Sequence, residues 1–264
     1  MKELPLLRAT GLDRRYRLPR TSLRGPRRYR EALRGVDLDV SPGDGGIGIV
    51  GESGSGKSTL VRLLLAVERP DAGTVEHRGH DLASAPAEEL RAFRRDVQVV
   101  LQDPFASLDP RMRVGEIVAE PLQCLDVPGD HRARVHELLA AVGLERAAVD
   151  RYPHQFSGGQ RQRIAIARAL APGPRVLVGD EPLSALDVAV RVQVMDLLGG
   201  LATDLGLALV LVSHDIGAVA RLCRRVIVLH QGRVVERGET AQVLSAPQEE
   251  YTQRLLAAVP RLPA

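Results

Sequence analysis

The run Gly51, Glu52, Ser53, Gly54, Ser55, Gly56, Lys57, Ser58 fits G-x-x-x-x-G-K-[ST], a spacing suited to phosphate chemistry. Glycines let the backbone curl until successive N–H groups point at phosphate oxygens. A lysine at the position of Lys57 reaches the outer phosphates, the hydroxyl of Ser58 is offered to Mg²⁺, and Thr59 follows in the same turn. A second chemical pair stands in "VLVGDEP", where an apolar run ends in Asp180 and Glu181. At the C-terminal edge of a parallel sheet, where ligands of open α/β sheets bind, two adjacent acids take different tasks. Asp180 is the expected holder of Mg²⁺, directly or through water. Glu181 is the expected acceptor of a proton from the water that attacks a γ-phosphate.

A third stretch, "SGGQ" from Ser157 to Gln160, makes another anion-binding helix start. Ser157 with Gln160 three residues on reads as a capping box that begins a helix carrying Ile164, Ala167 and Leu170. Capping leaves Gly158 and Gly159 unaccounted for. Each costs about 1 kcal/mol against alanine inside a helix, which makes sense where something must come close to the backbone.

The elements that must position these residues alternate short apolar strands with amphipathic helices, the pattern of a mostly parallel sheet wrapped by helices. "GIGIV" is the first buried strand, and the helix after it is expected to place Leu60, Val61, Leu64 and Leu65 on one face. "DVQVVLQ", "RVLVGD", "LALVLVS" and "RVIVLH" are further strands, the last turning through "HQG" into "RVVERG" as a hairpin. Before Gly46 the looser alternation predicts an antiparallel edge sheet. From about Pro104 to Ala171 helices are expected to dominate, as an insert in the sheet order.

The chain has 264 residues, 44% hydrophobic and 26% charged, with 3% aromatic residues and no Trp, so a globular α/β domain with an aliphatic core is expected. Its two cysteines, Cys124 and Cys223, have no metal-ligand spacing and are expected to be buried small apolar residues. No segment reads as a secretory signal or a membrane span. The net charge is +3, and arginines crowd the first forty residues as a solvated loop or an arm for nucleic acid or anionic membrane.

Taken together, the ordered motifs resemble the ATP-binding cassette (ABC) ATPases: the phosphate loop, Gln102 in "VVLQDP", "FSGGQ", "VLVGDEP", "SALD" ending at Asp187, and "LVSHD" with His214. Phe156 stands where that family's signature usually has Leu, and Leu183 where Thr is common. The resemblance implies a phosphate-loop NTPase core with an antiparallel edge subdomain and an inserted helical signature subdomain. It implies one cassette over residues 6–257, with the helical part at about 104–171 and a short tail at 258–264. It further implies that Gln102 contacts Mg²⁺ and the attacking water, that His214 touches the γ-phosphate, and that Asp187 lies in a loop across a dimer interface. Two cassettes pair head to tail in this family, so the SGGQ helix of one closes on the ATP held by the other. Tyr16 resembles the aromatic residue that stacks on adenine, with Tyr29 as its rival.

"DPFASLDPRMRVGEIVAEPL" and "APQEEYTQRLLAAVP" are similar to the ATPases of dipeptide, oligopeptide and nickel importers. That similarity implies ATP hydrolysis with Mg²⁺ at the cytoplasmic face of a membrane. Its implied partners are a second cassette, two permease subunits that dock near residues 105–125, and indirectly an extracytoplasmic solute-binding protein; no nucleic acid is expected. The competing classes are a soluble ABC ATPase acting on nucleic acid or ribosomes, supported only by the basic start, and a small-molecule kinase, which would leave the SGGQ stretch and His214 unexplained.

Overall fold

The computed structural model describes residues 4–18, 28–103, 107–184 and 186–258. In chain order the elements are β1 (Leu7–Arg17), β2 (Tyr29–Val40), β3 (Gly46–Val50), α1 (Lys57–Leu64), β4 (Ala72–His77), β5 (His80–Asp81), α2 (Ala87–Asp96) and β6 (Val97–Val100). Then come α3 (Val114–Cys124), α4 (His131–Ala141), two short 3₁₀ turns, α5 (Gly158–Leu170), β7 (Val176–Asp180), α6 (Val188–Asp204) and β8 (Ala208–Val212). The chain closes with α7 (Ile216–Leu222), β9 (Arg225–His230), β10 (Arg233–Glu239), α8 (Thr240–Ser245) and α9 (Glu250–Ala257). The α/β architecture expected from the alternation is the one observed. The arginine-rich insert lies largely outside the described residues, as do the last residues of the tail.

Two compact units form, Met1–Pro86 with Val212–Ala264, and Ala87–Leu211. In the first, β1 and β2 pair antiparallel, with Leu7 opposite Val40 and Ala9 opposite Leu38, and β4 pairs on the other side of β1. This is the expected edge sheet. Alternation turns Val36, Leu38 and Val40 of β2 inward, and an irregularity at Gly35 (φ 63°) lets Leu33 be buried as well. Strand β3, buried at all five residues, pairs parallel with β9, and β9 folds back on β10 as the expected hairpin. A strand apolar throughout is what a sheet covered on both faces demands. Helix α1 ends one residue earlier than the apolar stripe predicts: Leu60, Val61, Leu63 and Leu64 are buried, whereas Leu65 is the C-cap and only half-buried. Ala66 at φ 51° breaks the helix there.

In the second unit β6 pairs parallel with β7, and β8 lies beside β7. Between Val100 and Val176 the described residues form helices and no strand. Helix α3 packs inward through Val114, Ile117, Val118 and Leu122. Cys124, expected to be buried, is exposed, because it is the last residue of α3 and lies off that face. Cys223 is buried as expected, and desolvation pushes its thiol up to about 12, so it stays protonated. Among the described residues no helix is long and apolar enough to cross a membrane.

Candidate functional site

The loop from β3 to α1 has the backbone that phosphate binding needs. Gly56 is the N-cap of α1 at φ 115°, a conformation that other residues rarely adopt, and no side chain caps the helix. The N-cap residue therefore supplies no side-chain acceptor to the first-turn N–H groups. Gly51 packs so closely on β9 that a Cβ there would lie 2.2 Å from the Leu229 carbonyl oxygen. The Lys57 ammonium is buried and donates to the carbonyls of Gly51 (2.7 Å) and Glu52 (3.0 Å), which aims the side chain back over the loop. Ser53 and Ser58 are exposed, while Ser55 and Thr59 are buried.

Three contacts from elsewhere in the unit hold this loop. Arg30 of β2 donates to the Gly54 carbonyl at 3.0 Å, and the Gly232 N–H in the β9–β10 turn donates to the Ser55 carbonyl at 2.8 Å. Tyr251 of α9 takes the Glu52 N–H on its hydroxyl at 3.0 Å. Sequence reasoning missed Arg30 and Tyr251. Both are remote in sequence from the motif, and neither belongs to a spacing pattern that marks phosphate chemistry.

Tyr16 is half-buried on β1, and its hydroxyl donates to Glu68 Oε2 at 2.7 Å. Arg62 reaches the other Glu68 oxygen at 3.0 Å, and the Arg14 guanidinium lies 5.0 Å from the Tyr16 ring centroid. Burial raises the Glu68 carboxyl, but hydrogen bonds from Tyr16, Arg62 and Arg14 outweigh it and hold the group below the usual carboxylate range. The tyrosine ring is thereby fixed beside the end of α1. Tyr29, the rival, is on β2 opposite Arg17 and is 52% exposed.

His214 follows β8 and is exposed; next to it the Ser213 N–H donates to the Ile49 carbonyl of β3 at 3.2 Å. Asp215 begins α7 by accepting from the Ala218 N–H at 3.1 Å.

In the second unit the buried residues Val176, Leu177 and Val178 carry Asp180 to the end of β7, and both Asp180 and Glu181 are half-buried. Glu181 has φ 49°, in the left-handed region that costs a side-chain-bearing residue about 1–2 kcal/mol. Ser184 holds the turn by donating its N–H (3.2 Å) and hydroxyl (3.0 Å) to the Glu181 carbonyl. Gln102 is exposed just past β6. Ser58, Gln102 and Asp180 are all oxygen donors, which suits a hard ion such as Mg²⁺. Among the described residues no three His, Cys, Asp or Glu side chains gather into a metal cage.

The start of α5 is built differently from that of α1. The Ser157 hydroxyl accepts from the Gln160 N–H at 3.3 Å, and the Gln160 side chain accepts from the Ser157 N–H at 3.0 Å, so the expected capping box is present. Phe156 is buried, with the Arg151 guanidinium 4.3 Å from its ring centroid. Gly159 has a reason internal to the chain: a Cβ there would lie 2.3 Å from Val190 Cγ1 of α6. Asp187 caps α6 by accepting from the Val190 N–H at 3.0 Å, and Ala185 before it lies outside the described residues.

The ABC transporter family matches residues 33–184. A dipeptide transport ATP-binding protein, DppF of Haemophilus influenzae, is 44% identical over 98% of this chain and 79% of its own length. The oligopeptide transport ATP-binding protein OppD of Mycobacterium tuberculosis is 48% identical over 87% of this chain and 38% of its own. Among solved structures, a dimeric post-hydrolysis state of the ATP-binding cassette MJ0796 bound to ADP and Pi superposes with a TM-score of 0.76 at 29% identity, covering 89% of this chain and 98% of that one. An uncapped phosphate loop, paired acids at a strand end and a self-capped SGGQ helix, found together with these relatives, show that the chain belongs to the ABC transporter family as one of its ATP-hydrolysing cassettes.

Proposed function

We propose that this chain is the ATPase subunit of an importer for di- or oligopeptides or a related small solute. The observation that carries it is the phosphate loop, with its uncapped helix start and its buried lysine held over two loop carbonyls. In this reading the loop N–H groups and Lys57 bind the α-, β- and γ-phosphates, and Tyr16, its ring fixed through Glu68, stacks on adenine. Ser58, Gln102 and Asp180 hold Mg²⁺, which when bound neutralises charge that develops on the transferred phosphoryl group. Glu181 takes the proton of the attacking water, and His214 contacts the γ-phosphate.

Ser157, Gly158, Gly159 and Gln160 serve the ATP of a second cassette, identical or homologous. Support comes from α6, where Val188 and Val192, one turn apart beside Asp187, are 75% and 41% exposed, an apolar edge suited to a partner. Permease subunits dock at the cytoplasmic face, on a cleft of about 610 Å³ lined by Leu108, Met112, Ile117, Glu120 and Arg168.

The test is Glu181→Gln in the cassette reconstituted with its membrane subunits and solute-binding protein in vesicles. ATP binding is expected to persist, while hydrolysis and peptide uptake fall together by about a hundredfold. Near-normal turnover in the variant refutes the base. Vesicles of the unaltered protein that hydrolyse ATP but take up no peptide refute peptides as the solute.

A further inference from the structure

We propose that Tyr251, in helix α9, is a positioning residue for the phosphate loop, acting through the Gly51–Glu52 peptide to hold Lys57. The proposal rests on the nucleotide-binding reading of that loop. Tyr251 is 7% exposed; its ring lies on His230 at the end of β9, centroids 3.8 Å apart and planes 31° apart. That packing delivers the hydroxyl to the Glu52 N–H at 3.0 Å, across a sequence separation of 199 residues.

The bonded N–H belongs to the peptide plane whose other end is the Gly51 carbonyl, and that carbonyl accepts the Lys57 ammonium at 2.7 Å. In a planar trans peptide the N–H and C=O point in opposite directions, so fixing one fixes the other. Tyr251 therefore sets the rotation of the plane that Lys57 is anchored to. The next carbonyl, that of Glu52, receives Lys57 as well, at 3.0 Å, and the Ser55 N–H at 3.2 Å, so both carbonyls that hold the ammonium lie beside the peptide Tyr251 fixes. A buried phenol without this partner would carry a desolvation penalty, and burial raises the Tyr251 hydroxyl pKa. The loop N–H thus satisfies the tyrosine while the tyrosine orients the loop.

Tyr251→Phe keeps the ring on His230 and removes only the acceptor. In the full chain, ATP, ADP and AMP compete against a fluorescent ATP analogue, with a thermal melt run in parallel. The affinities for ATP and ADP are expected to fall about fivefold, the scale of one net hydrogen bond. That for AMP, which has no β-phosphate for Lys57 to reach, stays unchanged. Unaltered ATP and ADP affinity overturns the proposal, as does an equal loss for all three nucleotides, which would mark a general loosening. Should the variant fold poorly, hydrogen exchange in the unaltered protein decides: the Glu52 amide is expected to exchange more slowly than that of Ser53, and equal rates overturn the bond. Unaltered protein that binds none of the three nucleotides would instead overturn the reading of the loop itself.

Discussion

The two glycine-rich helix starts, at Lys57 and at Gly158, look alike in sequence and are built in opposite ways. Helix α1 has no side-chain cap, starts from a glycine in a conformation closed to other residues, and keeps a buried ammonium over its loop. Helix α5 caps itself through Ser157 and Gln160, which accept each other's N–H groups, and packs Gly159 against Val190. The first start is chemically incomplete and calls for an anion. The second satisfies the N–H groups of Ser157 and Gln160 through its own capping box, so whatever it contributes to a nucleotide comes from the rest of its first turn. Glycine content alone does not mark a ligand site; the state of the helix cap separates the two.

The sharpest way to break this contrast is to divide the two starts between chains. Lys57→Ala spoils α1 and leaves α5 sound, whereas Gly158→Asp puts a carboxylate where it would repel phosphate and leaves α1 sound. Each variant alone is expected to be inactive. Mixed in equal amounts, half of the pairs are hybrids with one intact composite site, so about a quarter of the sites should hydrolyse ATP. No recovery, with hybrids shown to form, would mean that α5 does not complete a partner's site.

A smaller effect sharpens the packing side. Gly159→Ala drives a methyl into Val190 and is expected to destabilise the cassette by about 1–3 kcal/mol, read from denaturant unfolding, with Val190→Ala restoring part of the loss. Unfolding identical to the original would show that packing is not why glycine stands there. Smallest is Ser157→Ala, which removes the cap at a cost of about 1 kcal/mol and, in the unpaired cassette, leaves nucleotide binding at α1 of the same chain untouched in equilibrium titration. A drop in affinity at α1 equal to that of Lys57→Ala would erase the distinction between the two starts.

Much of this was legible in the chain because local rules carry it. The fully apolar run of β3 gave a buried strand, Ser157 and Gln160 gave a capping box, and the hairpin through Gly232 was visible in its turn. What escaped depends on contacts distant in sequence. Gly159 looked like room for a ligand, and its neighbour Val190 can be found only in three dimensions. Cys124 was read as buried from its residue type, although its place at the end of α3 turns it outward. Tyr251 and Arg30 brace the phosphate loop from α9 and from β2, and neither lies in the motif they support.

The turn at Glu181 has an evolutionary side. With φ 49° the position favours glycine or asparagine over a glutamate, so a substitution that relaxed the backbone would leave a sturdier protein without the proton acceptor proposed for it. Selection on folding alone would erode this residue, and a duplicated cassette freed from transport would be expected to lose it early, drifting into a stable scaffold that still holds ATP and no longer spends it.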